Sequence, residues 1–349
     1  MKYRQLGQTE IELSTICLGT MTWGEQNTEQ EAHEQIAYAL SKGVNFIDTA
    51  EMYPIPPRAN TAGLTETYLG NWFQLNSRRH EVFLASKAAG PSRDAKRPSH
   101  IRNGRTHFDK ASLTEALEDS LRRLKTDYID LYQLHWPDRV TNYFGQLAYP
   151  WPDDDYTVSI LETLEALSGF VREGKIRFIG VSNETPWGVA EFLKQSEQHG
   201  LPRIVSIQNP YNLLNRTFEQ GLAEFSHREQ VGLLAYSPLA MGMLTGKYLN
   251  GNRPQGARLT VYDRFQRYNS LLCEAATEGY VALARKHSIP PAVLALAFVN
   301  QQPFVTSTII GATTLQQLRE NIDSINIELD EAVMQEIDAI HRQYQNPAP

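Results

Sequence analysis

The stretch Val44-Asn45-Phe46-Ile47-Asp48-Thr49-Ala50-Glu51-Met52-Tyr53 decides the fold, because a short β-rich apolar run ends there in a carboxylate instead of a turn residue, with a phenol five positions on. Two later runs end the same way. Val82-Phe83-Leu84-Ala85 leads to Lys87, and Tyr128 through Leu134 leads to His135. Runs of this kind read as strands of a buried parallel sheet, whose C-terminal ends share one rim. Asp48, Tyr53, Lys87 and His135 would then converge there.

Outward from these runs, strands and helices alternate. Ile16–Gly19 is a first strand, and the Thr28-x-x-Glu31 capping pattern opens a helix that Gly43 closes. Helices are predicted over 65–73, 114–123, 160–173, 188–198, 218–228, 277–286 and 293–300, and further strands over 176–181, 204–207, 232–235 and 306–310. Residues 1–14 alternate apolar and polar, which predicts a hairpin closing one end. The pattern predicts an α/β fold, a (β/α)8 TIM barrel with an N-terminal β-hairpin and long loops at the C-terminal face. No composition shift or linker divides the chain, so a single domain over 1–349 is expected.

Two links, 136–158 and 238–272, are long, and both follow strand C-terminal ends. The first carries Trp136, Tyr143, Phe144, Tyr149, Trp151 and Tyr156, and is expected to form an aromatic wall. The second carries several Gly and Arg, as an anion-binding flap would. The plainer alternative for both is an insertion packed on itself.

At 349 residues, with 41% hydrophobic and 21% charged residues, the composition is that of a globular protein with an ample core rather than a disordered one. A net charge of −7 without a Lys/Arg run leaves no footprint for nucleic acid, so a small-molecule partner is expected. No stretch is long and apolar enough for a membrane span, and the cytoplasm is the expected compartment. Cys17 and Cys273 show no C-x-x-C spacing and H-E-x-x-H is absent, so neither a disulfide framework nor a metal site is expected.

A phenol with a pKa of ~10 donates protons poorly unless a nearby cation stabilises the phenolate. Lys87 is expected to lower the Tyr53 pKa, Asp48 to keep Lys87 charged, and His135 to hydrogen-bond the carbonyl oxygen that Tyr53 protonates. Each group alone has a plainer reading: Asp48 as a cap or ion-pair partner, Tyr53 as a half-buried loop aromatic, Lys87 as a solvated strand end, His135 as a structural imidazole. Their coincidence after three successive strands carries the weight. A lone barrel lysine would also permit Schiff-base chemistry at Lys87. Trp23 and Trp136 are expected to line an apolar substrate pocket.

Protonation of a carbonyl is useful for reduction only if hydride also arrives. No G-x-G-x-x-G follows a strand, and the segment from Gly242 to Tyr248 fails as a P-loop, with three residues between its glycines and Tyr after Lys247. Ser182, Asn183, Gln208, Tyr236 and Ser237 instead end the later strands. Their amides and hydroxyls suit a carboxamide, and Tyr236 suits a flat ring. Gly311-Ala312-Thr313-Thr314 opens a helix bearing Gln317, Glu320 and Asn321, a place where barrels bind phosphate, to which Lys247 and Arg258 could add charge. An ordinary connection with a Thr cap is the plainer reading of that segment.

These residues resemble the aldo-keto reductases over essentially the whole chain. Asp48 to Tyr53 looks like the family's Asp-x-x-x-x-Tyr segment, Lys87 and His135 fall where the rest of the catalytic tetrad belongs, and Gly180-Val181-Ser182-Asn183 looks like the nicotinamide-contacting motif. Tyr236-Ser237-Pro238-Leu239, Leu244-Thr245-Gly246-Lys247-Tyr248 and Ile310-Gly311-Ala312 extend the likeness. Met52 to Pro57 and the aromatic insertion look like the bacterial Tas-like members. The resemblance implies an NADPH-dependent reductase of aldehydes and ketones with Tyr53 as proton donor. It implies that Ser182, Asn183 and Gln208 hold the carboxamide and that Tyr236 packs on the nicotinamide. Ser237, Leu239, Gly242 and Lys247 would meet the pyrophosphate, with Pro238, Ala240 and Leu244 in the same segments. Arg258, Thr313, Gln317, Glu320 and Asn321 would surround the adenosine end, and Gly311 would be a further cofactor-binding residue. The alternative it leaves open is a slow-turnover NADPH-sensing module that binds a protein partner.

Overall fold

The computed structural model describes residues 1–92, 99–153 and 157–348. Its chain begins with two antiparallel strands, β1 (Tyr3–Gln5) and β2 (Glu12–Ser14). Gly7 turns between them with φ +54°, and a Cβ there would lie 2.8 Å from the Val205 carbonyl, so the turn seats directly against the barrel floor. Leu6 and Leu13 plug that end.

Eight parallel strands follow, and close on themselves. They are β3 (Ile16–Gly19), β4 (Phe46–Asp48), β5 (Phe83–Ala88), β6 (Ile129–Leu134), β7 (Ile176–Ser182), β8 (Ile204–Pro210), β9 (Gly232–Tyr236) and β10 (Val305–Ile310). β10 pairs back onto β3. Around the barrel run α1 (Glu29–Ser41), α2 (Leu64–Asn76), α3 (Lys110–Leu124), α4 (Ile160–Arg172), α5 (Pro186–His199), α6 (Leu222–Glu229), α7 (Arg258–Val261), α8 (Leu271–Lys286), α9 (Pro291–Gln301), α10 (Leu315–Asp323) and α11 (Glu331–Gln343). The predicted (β/α)8 barrel with its hairpin is the observed fold.

Alternation along each strand separates two cores. Cys17, Phe46, Phe83, Ala85, Leu131, Leu234 and Ile309 fill the barrel, with Phe46 edge-on to Phe83 at 5.6 Å, while their neighbours in sequence pack outward against the helices. Above this apolar floor the interior turns polar: Lys87 lies in register with Gln133, Gln133 with Gly180, and Gly180 with Ser206.

Local signals set the helix starts. Thr28 and Glu31 form the reciprocal capping box at α1, and Ser159, Thr185 and Thr314 cap α4, α5 and α10. Three expectations shift. The helix predicted over 218–228 is a short 3-10 turn, Thr217–Glu219, followed by α6, because Gly221 takes φ +107° between them. α8 starts at Leu271 rather than at 277, and α11 is additional to the predicted set. Among the described residues no helix is long and apolar enough to cross a membrane, and no three His, Cys, Asp or Glu are placed to hold a metal ion. Cys17 and Cys273 are both buried and free.

Candidate active site

The ends of β4, β5 and β6 bring three of the four predicted groups together, and the loop after β4 brings the fourth. Lys87 is fully buried; its Nζ donates to Asp48 Oδ2 at 2.6 Å, to the Thr49 carbonyl at 2.8 Å and to the Tyr53 hydroxyl at 3.4 Å. The His135 ring stands edge-on to the Tyr53 ring at 5.8 Å. Backbone hydrogen bonds from Glu51 N to Lys87 O and from Gly63 N to Tyr53 O tie the Tyr53 loop to β5 and to the start of α2. Glu51 is itself pinned by the buried Arg102 guanidinium at 2.8 Å.

Electrostatics in this cluster differ from the sequence expectation at one point. Burial raises the Tyr53 pKa above its ordinary 10, outweighing the opposing pull of Lys87, which Asp48 also offsets. Lys87 bonded to Asp48 acts on Tyr53 as a near-neutral pair, not as a bare cation. Burial works against the Lys87 charge too, but Asp48 and Tyr53 overcome it and raise its pKa, so Lys87 keeps its proton and does not suit Schiff-base attack. Burial, with Lys87 nearby, pushes His135 well below its ordinary 6.5. The imidazole is therefore neutral. Its Nδ1 is buried without a partner among the described residues, so the tautomer carrying the proton on Nε2 avoids a stranded N–H.

Asp48, Tyr53 and His135 border one cavity of about 1330 Å³ over the C-terminal rim. Also on its wall are Ser182, Asn183, Gln208, Tyr236, Ser237, Pro238, Leu239, Gly242, Lys247, Arg258, Gly311, Thr313, Gln317, Glu320 and Asn321. Asn183 donates to the His135 carbonyl at 2.8 Å and to Ser182 Oγ at 3.1 Å, and accepts from the Tyr236 hydroxyl at 2.6 Å. Gln208 Nε2 is turned to Asp48 Oδ1 at 2.8 Å. Gly242, at φ +96°, leaves room for the Lys247 chain, whose Cε would lie 3.0 Å from a Cβ. Lys247 and Arg258 have no acidic partner among the described residues, and burial lowers both their pKa values. Arg258 and Tyr53 border the same cavity. At α10, Thr314 caps Gln317 N, and Gln317 Oε1 accepts from Thr313 N at 3.0 Å, so part of the helix start is satisfied internally.

Three expected lining residues stand elsewhere. Trp23 is fully buried in the outer core, with its indole N–H on Gln35 Oε1 at 3.1 Å; so bulky a ring packs the gap beneath α1 and α2 and does not face the cavity. Ala240 and Leu244 lie in the same core behind the wall, because the kinked turn at Met241 and Gly242 directs them inward. Of the aromatic insertion, Trp136 and Phe144 reach the cavity, their rings at 5.8 Å, with Leu147 beside them. Tyr149 and Trp151 form an edge-on pair facing solvent, Trp151 being 82% exposed, and Tyr156 lies outside the described residues.

Other wall residues carry no sequence prediction. Met21, Met52, Ile55 and Pro57 supply apolar surface near Tyr53, and Arg267 reaches the Tyr236 hydroxyl at 3.4 Å. Gln26 Nε2 meets the Gly256 carbonyl at 3.2 Å, linking the 254–258 segment across the cavity to the β3–α1 loop. Gln133 donates to Asp48 Oδ1 at 3.1 Å. A signal for Gln133 exists: it is an amide inside an apolar run, two positions before His135, on the alternation that points inward.

The family model described as "Aldo/keto reductase family" matches residues 15–342. "Protein tas" of Escherichia coli (strain K12) is 54% identical over 349 residues, covering 100% of both chains. "Uncharacterized oxidoreductase YrpG" of Bacillus subtilis (strain 168) is 34% identical over 97% of this chain and 96% of its own. "Norsolorinic acid reductase B" of Dothistroma septosporum is 28% identical over 98% of this chain and 82% of its own. The chain belongs to the aldo/keto reductase family.

Proposed function

We propose that this protein is an NADPH-dependent oxidoreductase that reduces aldehyde and ketone carbonyls, with Tyr53 as the proton donor. The observation that carries the reading is the Lys87 ammonium bonded to both Asp48 and the Tyr53 hydroxyl, on a cavity that also holds cations with no acidic partner among the described residues. Those cations, Lys247 and Arg258, suit the phosphates of a dinucleotide, and a 2′-phosphate would use the additional charge. The open amide oxygen of Gln208 suits a carboxamide N–H, and Tyr236 suits the ring. Reduced pyridine nucleotide, when bound, supplies hydride. Tyr53 holds the proton at its hydroxyl oxygen, and Lys87 stabilises the phenolate left behind. Neutral His135 is suited to donate a hydrogen bond from Nε2 to the substrate oxygen, and Asp48 keeps Lys87 charged.

The wall near Tyr53 is formed by Met21, Met52, Ile55, Trp136 and Phe144, which favours flat or apolar carbonyl compounds. A relative whose name describes a reductase accords with the reductive direction. Tyr53→Phe is expected to retain NADPH affinity and to lose about 10²- to 10⁴-fold in turnover, the range of a positioned general acid. Assays following NADPH absorbance with a panel of aldehydes, ketones and quinones check this, and unchanged turnover would reject Tyr53 as the donor.

A further inference from the structure

An ionised carboxylate can only accept hydrogen bonds, so both amides that approach Asp48 Oδ1 must turn N–H groups to it. Gln133 Nε2 does so at 3.1 Å and Gln208 Nε2 at 2.8 Å. The other N–H of Gln208 goes to Gln133 Oε1 at 3.1 Å. Both donors of Gln208 are thereby committed inside the protein. Its remaining polar atom, Oε1, has no partner among the described residues, is not among the sealed buried atoms, and belongs to a residue on the cavity wall.

Asp48 sets which end of the Gln208 amide points inward, and Gln133 supplies the second acceptor that fixes the amide plane. Gln133 is fully buried on β6, in register with Lys87 on one side and Gly180 on the other. Gly180 makes room for it, since a Cβ there would lie 3.1 Å from Gln133 Cγ. Without Gln133 Oε1, one N–H of Gln208 would be stranded and the amide, held only at Asp48 Oδ1, would be free to swing out of the plane that aims its oxygen at the cavity.

We propose that Gln133 is a positioning residue that locks the Gln208 amide with only its oxygen facing the cavity, so that the site selects a ligand carrying an N–H there, the carboxamide of the reduced nucleotide. This rests on the reading that such a nucleotide occupies the cavity. The neighbouring polar groups do not duplicate the role: Asn183 spends its N–H groups on the His135 carbonyl and Ser182 Oγ, and Ser182 spends its hydroxyl on the Gln208 carbonyl.

The test compares two nucleotides by titration calorimetry: NADPH, and its reduced 3-acetylpyridine analogue, in which a methyl replaces the carboxamide nitrogen. Gln133→Met is expected to weaken NADPH about fivefold to tenfold, the size of one net hydrogen bond, and to change the analogue by less than about twofold. Equal weakening of both nucleotides, or no change in either, overturns the proposal, because a merely structural role cannot tell one from the other. Should Gln133→Met fail to give a cooperative thermal melt, Gln133→Asn, which withdraws the amide by one methylene, is held to the same outcomes. A wild-type protein that binds neither nucleotide overturns the occupancy reading itself, and this inference with it. Binding of both by wild type with equal losses in the variant overturns this inference alone.

Discussion

At Lys87 burial opposes the charge while Asp48 and Tyr53 favour it, and at His135 burial meets no such opposition. The two groups therefore respond to pH in opposite senses. A histidine whose folded pKa is depressed leaves the unfolded chain to take up the extra proton, so stability falls as pH drops below 6.5 toward the folded value. Replacing His135 with Gln removes that contribution; the thermal midpoint of the variant is expected to fall less steeply than wild type in acid, as read by calorimetric scans across pH. Parallel curves would contradict a buried neutral His135. Four of the site's ionisable groups were legible in the sequence because each ends or follows an apolar run. The sign of the Tyr53 shift was not, because it depends on how completely the packed barrel excludes water from the hydroxyl and on the Asp48–Lys87 pairing. Gln133 was legible only through strand parity, and Arg267 gave no local signal at all.

Elements carry these residues, and their spacing is set by close backbone approaches. Gly70 lies on α2 where a methyl would overlap the Arg123 carbonyl and the Leu124 backbone at the end of α3. Backbone cannot step aside as a side chain can, so Gly70→Ala is expected to cost about 1–3 kcal/mol in denaturant unfolding. An unchanged midpoint would show that α2 and α3 do not approach so closely. Strand positions were readable because each buried run is continuous and β-rich, whereas helix limits were less so. α8 begins with Leu271 and Leu272, 85% and 61% exposed, which blurs the apolar stripe that would mark its start, although Ser270 caps it. Trp23 looked like a pocket residue because sequence places it near the rim; its burial is decided by α1 and α2 packing over it, which no local pattern records.

The molecule as a whole carries a net charge of −7, yet its cavity wall includes Lys247, Arg258, Arg264 and Arg267 against Asp48, itself paired with Lys87, and Glu320. A positive cleft in an acidic body focuses anionic ligands into that cleft, which matches a dinucleotide better than a neutral substrate alone. The proton-bearing cluster, the amides of β7 and β8 and these cations meet on one rim because the barrel closes, bringing residues from Asp48 to Asn321 onto one cavity. The direct measurement is a single-turnover experiment: NADPH held stoichiometric with enzyme, mixed rapidly with excess apolar aldehyde, and followed by its absorbance. The expected result is one exponential loss whose rate saturates with aldehyde and collapses in Tyr53→Phe. Bound NADPH that stays reduced across aldehydes, ketones and quinones would contradict the assignment.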